Sequence, residues 1–161
     1  MLREVSALEE TRRSPFAIVE GRIIVNVQAP TICPMWEWED YLRTLEGLDL
    51  NRTTYICFTD GVIDAKQRQS LSRTVGSKDY RRAIVTSTST TVAIVTAVSW
   101  LSDGARAFLP SKVDAALKYA RVDESLRSQV WSTAGSLCDR LQPQDRPAWL
   151  PELVEQGLSK S

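Results

Sequence analysis

The feature that most constrains this chain is an alternation of short, β-branched apolar runs with stretches of helical periodicity. Five runs read as strands: Phe16 to Glu20, Arg22 to Gln28, Thr53 to Thr59, Ala83 to Ser87 and Ala105 to Leu109. The first two are separated only by Glu20-Gly21-Arg22, a hairpin signal in which Gly21 supplies the turn's freedom. After the second, each run is followed by a helical segment. Pro34 opens one that runs to about Leu48, with Met35, Trp38, Leu42 and Leu45 at three- and four-residue spacing as its buried stripe. Asp64 is a good N-cap for a helix from Ala65 to about Val75, whose apolar face is thin. The hydroxyl run Thr86 to Thr91 leads into Val92 to Leu101, apolar nearly all round and therefore expected to be sandwiched inside the molecule. Asp103-Gly104 turns the chain into the last strand, and Pro110-Ser111 starts a helix with Val113, Ala116, Leu117 and Ala120 on one face. The order β-β-α-β-α-β-α-β-α implies an α/β fold. A mostly parallel sheet of about five strands is connected by crossover helices packed on it, with the opening hairpin as an antiparallel edge.

Residues 1–14 are charged and patternless, which predicts a loosely docked arm before an α/β domain over 15–122. Beyond Val122 the texture changes. Asp123 to Leu141 reads as a helix with Leu126, Val130, Leu137 and Leu141 as its apolar positions. Pro143, Pro147 and Pro151 then break the chain around Trp149-Leu150 before a short helical end, so 123–161 is expected to be a helical extension.

Composition excludes several functions. Among 161 residues there is no histidine, which removes Ser-His-Asp and Cys-His catalysis, histidine metal sites and imidazole switches. Twenty basic residues balance twenty acidic ones, so the chain lacks the basic excess of a general nucleic-acid binder. Cys33, Cys57 and Cys138 are odd in number and widely spaced, fitting neither a disulfide framework nor a zinc site. No apolar run reaches the ~20 residues of a membrane span, and Met1-Leu2-Arg3-Glu4 begins nothing like a signal peptide. The expectation is a reduced, cytoplasmic protein without cofactor or metal.

Particular residues carry a family resemblance: the hairpin at Gly21, the strand Tyr55-Ile56-Cys57-Phe58-Thr59-Asp60, Ile63-Asp64 opening a helix, and the closing stretch Arg106 to Leu117. Over about residues 16–122 the chain resembles the anti-sigma-factor antagonist (STAS) fold, and more closely the bacterial STAS-like proteins grouped with the CRAL-TRIO lipid-binding fold. The resemblance implies a non-enzymatic regulatory domain whose loop after strand three and following helix meet a partner protein. It also implies a phosphorylatable Ser or Thr directly after the Asp that opens that helix. Here Asp64 matches the Asp, but Ala65 and Lys66 follow, and Thr59 is the nearest hydroxyl.

The candidate partner-binding residues are therefore Asp60, Gly61, Asp64, Lys66 and Arg68, joined by Trp36. Trp36 lies two residues from Trp38 and so points almost oppositely to it on a helix. A second copy of the chain is an alternative partner. Thr90 and Thr91, before an apolar helix, are a weak anion-binding candidate. Asp60 and Asp64 could pair as carboxylates, but both are also ordinary turn and cap residues. The charges are uneven. Residues 34–49 are acidic and 65–82 basic, which would either neutralise each other side by side or steer a charged partner. The alternative function is a carrier or sensor of a small apolar or lipid ligand.

Overall fold

The computed structural model describes residues 12–99 and 104–161, with the side chains of 96–99 left aside. It has a five-stranded sheet in the sequential order β1 (Phe16–Val19), β2 (Ile23–Gln28), β3 (Thr54–Thr59), β4 (Arg81–Val85) and β5 (Ala105–Phe108). β1 and β2 form the antiparallel hairpin, with Val19 opposite Ile23. Glu20 and Gly21 both take positive φ in the three-residue connection Glu20-Gly21-Arg22, where the Arg22 N–H donates to Val19 O at 3.2 Å. The pairs β2–β3, β3–β4 and β4–β5 are parallel, with Asn26 beside Cys57 and Cys57 beside Ile84.

Three helices cross between parallel strands: α1 (Met35–Glu46), α2 (Ala65–Val75) and α3 (Ser89–Ser99). A sheet that grows in one direction through crossovers of one hand carries all of them on one face. That crossover face holds the cluster of Ile24, Trp38, Tyr41, Leu45, Leu71 and Tyr80. Asp64 caps α2 as expected: its Oδ1 accepts from the Gln67 backbone N–H (2.8 Å), while Gln67 Oε1 accepts from the Asp64 N–H (3.1 Å).

α3 departs from the sequence reading. It begins at Ser89 rather than Val92, because the Thr88 hydroxyl takes the Thr91 N–H (3.3 Å) and caps it. Its early side chains are not sandwiched: Ala93 is exposed and Val92, Ile94 and Val95 are half-buried. β5, which follows it, is the last strand, so the sheet offers α3 no neighbour beyond that edge. The expected end of this helix at Leu101, the Asp103 turn and residues 1–11 of the arm lie outside the described residues.

The winding leaves the far face of the sheet bare, and the rest of the chain covers it. α4 (Val113–Tyr119), α5 (Glu124–Arg140) and α6 (Leu150–Ser159) bring Ala116, Leu117, Val130, Trp131 and Leu137 onto Val25, Val27, Ile56, Phe58 and Val85. Phe58 and Trp131 meet ring to ring at 5.6 Å. The segment after residue 122 is thus helical, and it supplies much of this core. α6 can lie close to α5 because position 157 is glycine, where a Cβ would run into the Trp131 indole. No helix among the described residues is long and apolar enough to cross a membrane.

Candidate functional site

The two faces of the sheet differ in chemistry because alternate residues of each strand point to opposite sides. The far face takes Ile23, Val25, Val27, Ile56, Phe58, Ala83 and Val85, all fully dry. The crossover face takes the residues between them: Asn26 and Gln28 from β2, Tyr55, Cys57 and Thr59 from β3, and Arg82 and Ile84 from β4. A sheet buried on both sides ordinarily shows near-continuous aliphatic strands, so a polar set on one face calls for an explanation.

Part of that set is consumed internally. Asn26 Oδ1 accepts from the Tyr55 hydroxyl (2.8 Å) and the Cys57 thiol (3.1 Å), while its Nδ2 donates to Pro15 O (2.8 Å) and ties the incoming arm to the sheet. The Tyr41 and Tyr80 hydroxyls bond each other at 2.7 Å, and Trp38 Nε1 donates to Ser70 Oγ at 2.8 Å. Burial pushes the Cys57 thiol up to about 12 and likewise raises Tyr41, Tyr55 and Tyr80, so all four groups stay neutral at physiological pH.

The rest borders a cavity of about 120 Å³ between the sheet and α1, α2 and α3. Its walls are the rings of Trp38, Tyr41 and Tyr55 with Leu71, Ile84 and Ile94. Its polar margin is Gln28, Thr59, Thr91, Arg68 and Arg82, and it opens beside Val62 and Ser72, both solvent-exposed. Arg82 is 7% exposed, lies against the Tyr80 ring (5.5 Å), and forms no ion pair among the described residues.

Most residues chosen from the sequence gather at the carboxyl ends of the parallel strands, where the loops into α1, α2 and α3 emerge. Asp60 directly follows β3 and is bound internally. Its Oδ1 accepts from the Ser87 N–H (2.9 Å) and hydroxyl (2.8 Å), and its Oδ2 from Trp149 Nε1 (2.9 Å), pinning the C-terminal segment to the sheet edge. Gly61 is required by close approach, since a Cβ there would lie 2.7 Å from Ala29 O. Asp64 is the α2 cap, Lys66 is exposed, and Arg68 Nη1 donates to Ile63 O (2.8 Å) at the cavity margin. Thr90 is exposed, whereas Thr91 is buried at the cavity wall. Thr59, the hydroxyl nearest to the expected phosphorylation position, is 4% exposed and accepts from the Gly61 N–H (2.8 Å), so a kinase could not reach it in the folded chain.

Trp36 is 42% exposed at the start of α1, with the Arg12 guanidinium 5.2 Å over its ring and bonded to Asp40 at 2.9 Å. Ile32, Met35, Val62 and Leu109 are also exposed. All five sit on the first turn of α1 or on loops leaving β2, β3 and β5, at one edge of the sheet. The contrast of an acidic first helix and a basic second helix is not resolved by pairing between them. Among the described residues, Asp40 pairs with Arg12 and Arg43. Glu37 is buried instead of presented to solvent, accepting the Arg13 N–H at 2.8 Å, and burial raises its pKa.

Sequence reasoning missed Arg82, Tyr55 and Gln28. The available signal was the every-second-residue polarity of Asn26-Val27-Gln28 and Tyr55-Ile56-Cys57-Phe58-Thr59. Among the described residues no group of three or more Cys, Asp or Glu is placed to hold a metal ion. Compared with known proteins, the chain matches no family model, no curated protein and no solved structure.

Proposed function

We propose that the chain is a non-enzymatic regulatory module of STAS-like type that binds another protein through the edge at the carboxyl ends of β2 to β5. The observation that carries this reading is the gathering there of Ile32, Met35, Trp36, Val62 and Leu109, large apolar side chains left exposed at one end of the sheet. Exposed apolar groups scattered singly need no explanation, but their concentration beside polar loops is the mark of an interaction surface. Lys66 stands exposed on the first turn of α2 at the same edge.

The groups that could serve catalysis are otherwise engaged. Asp60 and Asp64 each act as an internal acceptor, and burial pushes the Cys33 and Cys57 thiols up to about 12, far from thiolates. The three cysteines are free and buried, which suits a reducing compartment such as the cytoplasm. A lipid carrier that holds its ligand between the sheet and the crossover helices is disfavoured by size. The cavity holds about 120 Å³, and ligand pockets for drug-sized molecules run to roughly 300–1,000 Å³.

Native mass spectrometry of the protein purified from its source tests this. A stoichiometric protein partner is expected, lost in the Ile32→Asp/Val62→Asp variant and kept in Leu158→Asp, whose site is the exposed end of α6. Purification without a protein partner, or a complex indifferent to the edge substitutions, would contradict the reading.

A further inference from the structure

The cavity on the crossover face has a composition that specifies its occupant, independently of any partner at the sheet edge. Its margin carries two guanidinium groups, Arg82 and Arg68, and among the described residues no carboxylate borders it. The Thr59 hydroxyl oxygen already accepts from the Gly61 N–H (2.8 Å), and the Thr91 hydroxyl oxygen from Thr88 Oγ1 (2.6 Å). Each therefore has its own O–H to give to an incoming acceptor. Donors and positive charge thus line the space, and among the described residues no acidic group balances them. Arg82 is 7% exposed, and a cation so far out of water is stabilised by an anion brought to it.

The remaining walls select the body of the ligand. The Tyr55 hydroxyl and the Trp38 indole N–H donate to internal partners, and the Tyr41 hydroxyl is bonded to that of Tyr80, so these residues present chiefly their rings. With Leu71, Ile84 and Ile94 they form an apolar slot of about 120 Å³, close to the roughly 150 Å³ that accommodates benzene in an apolar cavity. A long acyl chain has no room, and an inorganic anion would leave the rings without a partner.

We infer that this cavity is a binding site for a small carboxylic acid with a flat or compact apolar body, of which benzoate is the simplest probe. The carboxylate meets Arg82, with Arg68 and the threonine hydroxyls at the margin, and the ring lies among Trp38, Tyr41 and Tyr55. Arg82 is the specificity-determining residue, because it turns an apolar slot into one that selects an anion.

Calorimetric titration of the full chain with benzoate, benzyl alcohol and inorganic phosphate tests the inference. Benzoate is expected to bind in the micromolar to millimolar range. Benzyl alcohol, which matches its shape without the charge, should bind about tenfold more weakly or worse, and phosphate should not compete. Arg82→Gln should weaken benzoate about tenfold and leave benzyl alcohol unchanged. Should Arg82→Gln fail to fold, Arg68→Gln on the partly exposed side of the margin should still weaken benzoate several-fold against an unchanged benzyl alcohol. Equal binding of benzoate and benzyl alcohol, effective competition by phosphate, or no benzoate binding by the folded protein would each overturn the proposal.

Discussion

The two faces of the sheet are built from the same strands yet serve different ends. On the far face Val25, Val27, Ile56 and Phe58 meet Leu117, Val130 and Trp131 with no polar side chain among them, and close packing of this kind gives stability and a unique structure. On the crossover face the same strands present Asn26, Gln28, Tyr55, Thr59 and Arg82, and the helices above them leave a cavity. Filling that space with aliphatic side chains would have been the more stable solution. The difference teaches that polarity at every second strand position marks where a parallel sheet has reserved one side for binding.

The comparison is easiest to break by removing what covers the far face. Deleting 123–161 takes away α5 and α6 and bares Val25, Val27 and Phe58, and the shortened chain is expected to lose cooperative unfolding and aggregate. A monomeric, cooperatively unfolding fragment would show that the far face needs no cover. Next in size is a matched pair of truncations. Phe58→Ala, at a fully buried position against Trp131, should cost about 3–5 kcal/mol in urea unfolding. Ile84→Ala, half-buried at the cavity wall, should cost roughly 1–2 kcal/mol, because its side chain already borders space. Equal costs would erase the distinction between the faces.

Glu37 sharpens the comparison through pH. Burial raises its pKa in the folded state, so the folded chain holds this proton over a range where the unfolded chain has released it. Its contribution to stability is full below the unfolded carboxyl pKa and declines as pH rises through the folded value. Glu37→Gln should remove this decline, so that the melting temperature falls less, or rises more, with pH just above the ordinary carboxylate range, and an unchanged slope would show that the carboxyl is not held in this way. Smallest is Trp36→Ala. With 42% of the residue exposed and Arg12 stacked on its ring, the substitution should cost about 1 kcal/mol or less and shift the melting temperature by a few degrees at most. A larger loss would place Trp36 in the core and remove it from the interaction edge.

Local signals made much of the architecture legible. Gly21 announced the hairpin, Asp64 the start of α2, and the β-branched runs all five strands, because turns, caps and periodicity depend on near neighbours. What escaped depends on residues far apart. Asp60 reads as an exposed loop carboxylate until Trp149, 89 positions later, donates to it. Thr59 reads as an available hydroxyl until the sheet buries it. Helices α5 and α6 read as an extension, since no local pattern tells which surface a helix will cover. Arg82 reads as one of a run of basic residues, and only the register of β4 beside β3 turns it toward the cavity.

The indole N–H signals of Trp38 and Trp131 place one reporter on each side of the sheet, Trp38 at the cavity and Trp131 in the dry core. Following both in a single nuclear magnetic resonance titration with benzoate tests the division of labour most directly. The account predicts that the Trp38 signal moves saturably while the Trp131 signal stays in place. Equal movement of the two, or movement of Trp131 alone, would contradict it.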